Sequence, residues 1–215
     1  MGLEILAGTP RGGGQDRTAR ALASVLAEKT TISNVSGRGG GNAWDLLARR
    51  VGSSHLAAVS SPTLITNVLM GEADVDHRGL TPLAMFYTEP SALVVRSGSA
   101  LEEPSALLEA LAGGAARVAF ATARGNMNHL GLAEIAAHLG APVTTMPIRV
   151  FESAPQALAD VVGGGADMGM VSTISAVPGM GDGNLTPVLV TAPDRIGGGF
   201  EEVPTCLELA VPCVR

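Results

Sequence analysis

A chain of 215 residues, 46% hydrophobic and 16% charged, is long enough for one large domain or two small ones with a real core. A mean hydropathy of +0.31 excludes a solvated coil. No apolar stretch of ~18 residues is free of charge, which excludes a helical membrane span. The formal charge of -6, the scattered arginines and the 3% of aromatics exclude a nucleic-acid surface and weaken a sugar site.

Short apolar runs alternate with helical patterns from end to end, the signature of an α/β protein with mostly parallel sheets. Residues 3–7 read as a strand, 8–15 as a loop and 16–28 as a helix with Leu22, Val25 and Leu26 on one face. A second strand over 31–35 leads into the glycine run at 37–41, and Asn42 is placed to cap a helix reaching Arg50. Residues 55–60 read as a third strand, followed by a turn at Ser60-Ser61-Pro62 and a helix to Leu69. Residues 82–86 and 92–95 read as two further strands.

The second half repeats the rhythm. Pro104 opens a helix ending at Gly113-Gly114, and 117–122 is a strand followed by a polar loop over 123–128. Leu132, Ile135, Ala136 and Leu139 have helical spacing, with Gly140 as the stop. Residues 143–150 are extended, Ser153 and Gln156 form a capping box, and 167–172 and 187–191 are strands. Two β-α-β-α-β units joined near 88–92 predict two similar lobes with an interlobe cleft, where ligands bind. The expected boundaries are 1–88 for lobe I, 89–195 for lobe II and 196–215 for a segment returning towards lobe I.

Two loops join a strand to a helix start: Thr9-Pro10-Arg11-Gly12-Gly13-Gly14-Gln15-Asp16 and Thr122-Ala123-Arg124-Gly125-Asn126-Met127-Asn128-His129. A helix start offers unpaired N–H groups and a partial positive charge, so it suits a carboxylate or phosphate. Glycine lets such a ligand reach the backbone. Arg11, Arg38 and Arg124 lie in glycine-containing loops, and the guanidinium fork favours carboxylates. The opposing reading of each is an ordinary turn with a solvated arginine. Position 42 is Asn and position 17 is Arg, so neither glycine run completes G-x-G-x-x-G, and no P-loop or G-x-S-x-G elbow exists.

The histidines do not make a metal set. Asp74, Asp76 and His77 read as a solvated loop, while His129 stands beside the second loop to bond either a ligand or the backbone. Cys206 and Cys213 lack the two further ligands that zinc requires, leaving a local disulfide and two thiols both open. No cofactor is expected. Residues 1–7 run directly into a strand, so a signal peptide is expected to be absent from this chain.

Taken in order, the segments resemble the extracytoplasmic solute-binding proteins of tripartite tricarboxylate transporters, the Bug family. Gly12-Gly13-Gly14-Gln15-Asp16 looks like the family's Gly-Gly-Gly-Thr-Asp, with Gln15 for Thr, and Asn34-Val35-Ser36-Gly37-Arg38-Gly39-Gly40 resembles Asn-x-Pro-Gly-x-Gly-Gly. Ala121-Thr122 through Asn126 and His129-Leu130 looks like the second binding loop. Residues 158–167 and Val203-Pro204-Thr205 with Glu208 are similar to two later signatures.

The resemblance implies a type II periplasmic-binding-protein fold and a periplasmic or extracytoplasmic location. It implies a small carboxylate ligand and delivery to membrane transporter subunits by a monomeric, non-enzymatic protein. Carried over, the ligand-binding set is Pro10, Arg11, Gly12, Gly13, Gly14 and Asp16, faced by Ala123, Arg124, Gly125, Asn126 and His129, with Ser60 and Ser61 at the floor. The added arginines favour a di- or tricarboxylate. Family members continue several dozen residues past Val-Pro-Thr, so the C-terminal remainder of lobe I is expected to be missing. Two other readings stay open on the same fold: an enzyme with Asp16 and His129 as acid–base pair, and a ligand-sensing effector domain.

Overall fold

The computed structural model describes residues 2–26, 29–121 and 124–213. Its contacts divide the chain into two compact units, Met1–Met85 with Thr122–Asn126, and Phe86–Ala121 with Met127–Arg215.

The first unit contains a parallel sheet in the order β2-β1-β3, formed by β1 (Leu3–Ala7), β2 (Thr30–Asn34) and β3 (Leu56–Ala58). The register sets Leu3 opposite Thr30 and Ala7 opposite Asn34. The central strand β1 is the most buried of the three, with Ile5, Leu6 and Ala7 inside. Each strand is followed by a helix: α1 (Gly14–Val25), α2 (Gly41–Ala48) and α3 (Thr63–Leu69). Ile5 and Ala7 pack with Ala19 of α1 and with Val59. Trp44 of α2 is buried, and its indole N–H donates to the Val59 carbonyl at 3.1 Å.

Two expectations fail in this unit. Asn42 lies inside α2 rather than capping it, and its side chain instead accepts from Arg38 Nε and donates to the Ser36 carbonyl. The capping position belongs to Gly40 at φ 108, because the chain reaches α2 through consecutive left-handed residues where glycine is cheap. Residues 82–86 form no strand, and Leu83, Met85, Phe86 and Tyr87 are exposed. A β-pattern becomes a strand only when a neighbour takes its backbone hydrogen bonds, and none of the described strands does so here.

The second unit holds a five-stranded sheet in the order β6-β5-β7-β4-β8. Its strands are β4 (Ser91–Arg96), β5 (Val118–Ala121), β6 (Ile148–Phe151), β7 (Met168–Ser172) and β8 (Leu185–Val190). β5, β6 and β7 are parallel in the order β6-β5-β7, so β5-α-β6-α-β7 repeats the β-α-β-α-β arrangement of the first unit, and β4, antiparallel to β7 and β8, is an addition to it. Apolar runs specify strands but not their direction.

Alternation along β4 explains the layering. Leu93 and Val95 join one core with Leu107 and Leu111 of α4 (Pro104–Ala112) and Leu132 and Ile135 of α5 (Met127–His138). Ala92 and Val94 join the opposite core with Leu158 and Val161 of α6 (Ala154–Val162) and Ala176 of α7 (Thr173–Gly181). Both faces of the sheet are therefore covered by helices.

Three local differences follow. The sequence reading omits α7 because Pro178 removes the N–H that would bond Ile174, yet burial of Ala176 holds the helix. At α6 the capping box is not made: Gln156 accepts from the Glu152 N–H at 3.2 Å, one residue before the cap, and Ser153 makes no side-chain cap bond. Residues 196–213 do not return to the first unit. Phe200, Val203, Cys206, Val211 and Cys213 are buried in the cores of the second. Among the described residues, no helix is long and apolar enough to cross a membrane.

Candidate functional site

The first loop is a braced turn between β1 and α1. The Gly13 N–H donates to the Pro10 carbonyl at 2.9 Å, and Gly12 adopts φ +85, a conformation that side chains disfavour. Asp16, in the first turn of α1, points back under this turn and is 1% exposed. Three donors meet its carboxylate: the Gly12 N–H at 2.8 Å, Arg20 Nε at 2.9 Å and Asn34 Nδ2 at 2.9 Å. Burial alone would push this carboxyl up. The bonds from Arg20, Gly12 and Asn34, with the Arg20 charge, outweigh it and hold the group at about 2 against the ordinary 3.8.

Neighbouring groups complete the brace. Thr9 Oγ1 accepts from the Asp16 N–H at 3.2 Å, and the Thr9 carbonyl accepts from Asn34 Nδ2 at 2.9 Å. Gln15 is buried, and its Oε1 accepts from the Gly8 N–H at 2.8 Å. Gly8 lies so close to Gly40 that a Cβ there would overlap the Gly40 backbone. The residue that departs from the family's threonine thus ties the first loop to its own strand, where the glycine run of the next loop abuts it.

With the inner side occupied, the outer side of the turn is open. The Gly14 and Gln15 N–H groups, at the start of α1, have no partner among the described residues. A Cβ on Gly14 would meet nothing within 4 Å. Arg11, Gly12 and Gly14 are exposed, and Pro10 and Gly13 half-buried. A helix start with unpaired N–H groups, a favourable dipole and no side chain in the way is chemically able to receive an anion.

The second loop groups by contact with the same unit, although the strand before it and the helix after it belong to the other. Arg124 is exposed, Gly125 and Asn126 are buried, and Gly125 has φ +77. A Cβ on Gly125 would lie 2.5 Å from Met70 Cε and 3.2 Å from Thr66 Oγ1, so the backbone there seats against α3. Ala123 lies outside the described residues. Ser60 and Ser61 follow β3. Ser60 is exposed, and Ser61 Oγ donates to Thr63 Oγ1 at 3.3 Å. The His129 ring stacks on Phe120 with centroids 5.1 Å apart and planes at 14°.

Arg38 has a structural task instead. Its guanidinium bonds Asn42 Oδ1 at 2.9 Å, the Glu72 carbonyl at 3.0 Å and the Asp45 carboxylate. Asp76 likewise pairs with Arg78, whose hydrogen bonds hold its carboxyl far below the usual range. Among the described residues, no cluster of three or more His, Cys, Asp or Glu is placed to hold a metal ion. Thr9, Gln15 and Asn34 are the site residues that sequence reasoning passed over. Each lies in a segment quoted above, Thr9 and Gln15 in the first loop and Asn34 at the head of the second glycine run, but nothing local marks its side chain as bracing the turn.

The reading of Asp16 as a general acid or base meets a physical objection. A carboxylate held at about 2 and engaged by three internal donors is a poor proton carrier near neutral pH.

The sequence matches the tripartite tricarboxylate transporter family receptor over residues 16–214. No curated protein matches it. Among solved structures it resembles a TctC solute-binding protein from Polaromonas without ligand, at 26% identity and a TM-score of 0.68, covering 97% of this chain and 72% of that one. It also resembles MatC from Rhodopseudomonas palustris with bound malate, at 21% identity and a TM-score of 0.85, covering 100% and 74%. A third is an R. palustris protein with adipate, at 17% identity and a TM-score of 0.77, covering 100% and 73%. The family and these relatives are substrate-binding proteins, not enzymes. The family match spans most of the sequence, and the chain belongs to the tripartite tricarboxylate transporter family receptors.

Proposed function

We propose that this protein captures a small di- or tricarboxylate outside the cytoplasm and delivers it, as a monomer, to the membrane subunits of a tripartite tricarboxylate-type transporter. The observation that carries the reading is the open start of α1. Gly14 and Gln15 present unpaired N–H groups on a turn locked from beneath by Asp16. One ligand carboxylate bonds these amides, with Pro10, Arg11, Gly12 and Gly13 around it. Arg124, Gly125, Asn126 and His129, with Ser60 and Ser61, supply the remaining contacts, and Ala123 belongs to the same loop. Malate and adipate in the relatives, each a dicarboxylate, support the ligand class. Asp16 acts here by positioning the amides and does not contact the ligand.

Thermal melting against citrate, tricarballylate, succinate, malate, glutamate and phosphate, with sugars as controls, tests this. Ligand at about 100 times its Kd adds about 2.7 kcal/mol. For a chain of this size that is about 5–10 °C in Tm. A shift confined to di- or tricarboxylates is expected. An equal shift with an uncharged amide analogue, or none with any carboxylate in a folded chain, would contradict the reading.

A further inference from the structure

Cys206 and Cys213 are both fully buried in the core that contains Leu93, Leu132 and Met170. The backbone between them doubles back. The Leu209 and Val211 N–H groups both donate to the Cys206 carbonyl, at 3.2 Å and 2.8 Å, and Ala210 turns the chain at φ +58. The Cys213 N–H then donates to the Val211 carbonyl at 2.8 Å. This reversal sets both cysteines, each a thiol in the structure, in one buried core, where the thiol of Cys213 acts on that of Cys206. Cys213 Sγ donates to the Gly131 carbonyl at 3.5 Å.

Such a pair has few alternative uses. No third metal ligand joins it among the described residues. The neighbouring Cys213 thiol, together with burial, pushes the Cys206 thiol up, so Cys206 supplies no thiolate for nucleophilic work.

We propose that Cys206 and Cys213 form a disulfide, made by thiol–disulfide exchange while the second unit folds and both sulfurs are still accessible. The thiolate of one cysteine attacks a donor disulfide, such as oxidised glutathione or an envelope dithiol oxidase. An S–S bond to the donor forms and one donor thiolate leaves. The second cysteine's thiolate then attacks the protein sulfur of that mixed disulfide and expels the other donor thiolate. Two protein thiols are oxidised, one donor disulfide is reduced to two thiols, and the two protons pass to those thiols. In the cell this step rests on the extracytoplasmic location proposed above, because disulfides persist in the oxidising envelope. The geometry itself does not depend on that location.

The test uses the purified full chain, reduced, unfolded and refolded with reduced and oxidised glutathione. The product is denatured in iodoacetamide, weighed intact and cleaved after Glu208, which separates the two cysteines. The expected result is no alkylation before reduction, two alkyl groups after it, and fragments bearing Cys206 and Cys213 that stay joined until reduced. Two alkylated cysteines, glutathione adducts on both, or a bond between two chains would each overturn the proposal. Reductant is further expected to lower the wild-type Tm by about 5 °C, with no such dependence in Cys213→Ala. Should that variant not fold, the wild-type mass result decides alone. A dithiol in a chain that binds carboxylate counts against the disulfide only. A disulfide in a chain that binds none counts against the ligand reading only.

Discussion

Asp16→Ala is expected to destabilise the first unit by about 3 kcal/mol and to abolish carboxylate binding. The substitution removes the acceptor shared by the Gly12 N–H, Arg20 and Asn34, a carboxylate that is itself 1% exposed. Arg20 is 41% exposed and can rehydrate, and Asn34 keeps the Thr9 carbonyl, so the Gly12 amide and the shape of the turn bear most of the cost. The same group predicts an acid limb. Its folded pKa of about 2 lies below the ordinary 3.8, so its contribution is complete above the unfolded value and is lost as pH falls through the folded one. That contribution is about 2 kcal/mol, disappearing between about pH 4 and pH 2. Asp16→Asn, which cannot titrate, is expected to lack this limb. Denaturant titrations of both proteins at neutral and acid pH measure the difference, and parallel pH dependence in the two would contradict the account.

The second large effect is expected at Gly8. Its Cβ would overlap Gly40 Cα and sit 2.8 Å from Gln15 Oε1. Gly40 cannot retreat easily, because it is the left-handed cap of α2 and its own Cβ direction is filled by Trp44 and Gln15. Gly8→Ala must therefore push the backbones of the two loops apart or break the Gln15 bond, at a cost of about 3 kcal/mol. Gly14→Ala, with open space around it, is expected to stay within about 0.5 kcal/mol of wild type. Chemical denaturation of the two variants checks the pair. Equal stabilities would mean that the loops do not meet at Gly8.

These two glycines show what was legible in the sequence. The run at 12–14 stands out as a loop because glycine before a helical pattern is a strong local signal, and β1 is read to the residue. Nothing local says that Gly8 touches Gly40, since that contact spans 32 positions of sequence and arises only when β1 and β2 pair in register. Asp16 was legible as a site residue but not in its direction: the sequence suggests a group facing ligand, and the structure turns it inward to three donors. Arg38 drew attention as a loop arginine, and its engagement by Asn42 and Asp45 depends on the left-handed turn that sets the start of α2. The segment over 82–86 has a strand's composition without a strand's partner. Pairing is decided between segments, and local pattern cannot supply it.

An unpaired helix start, braced from below, is proposed above as the receiver of a carboxylate. Isothermal titration of the purified chain with citrate, succinate and succinamide, repeated on Gly14→Ala, tests it most directly. Saturable binding of a carboxylate is expected, with none of the diamide and an affinity at least about tenfold weaker in Gly14→Ala at unchanged stability, since the new methyl occupies the ligand's approach to the amides. Undiminished carboxylate affinity in a folded Gly14→Ala would contradict it and place the ligand elsewhere.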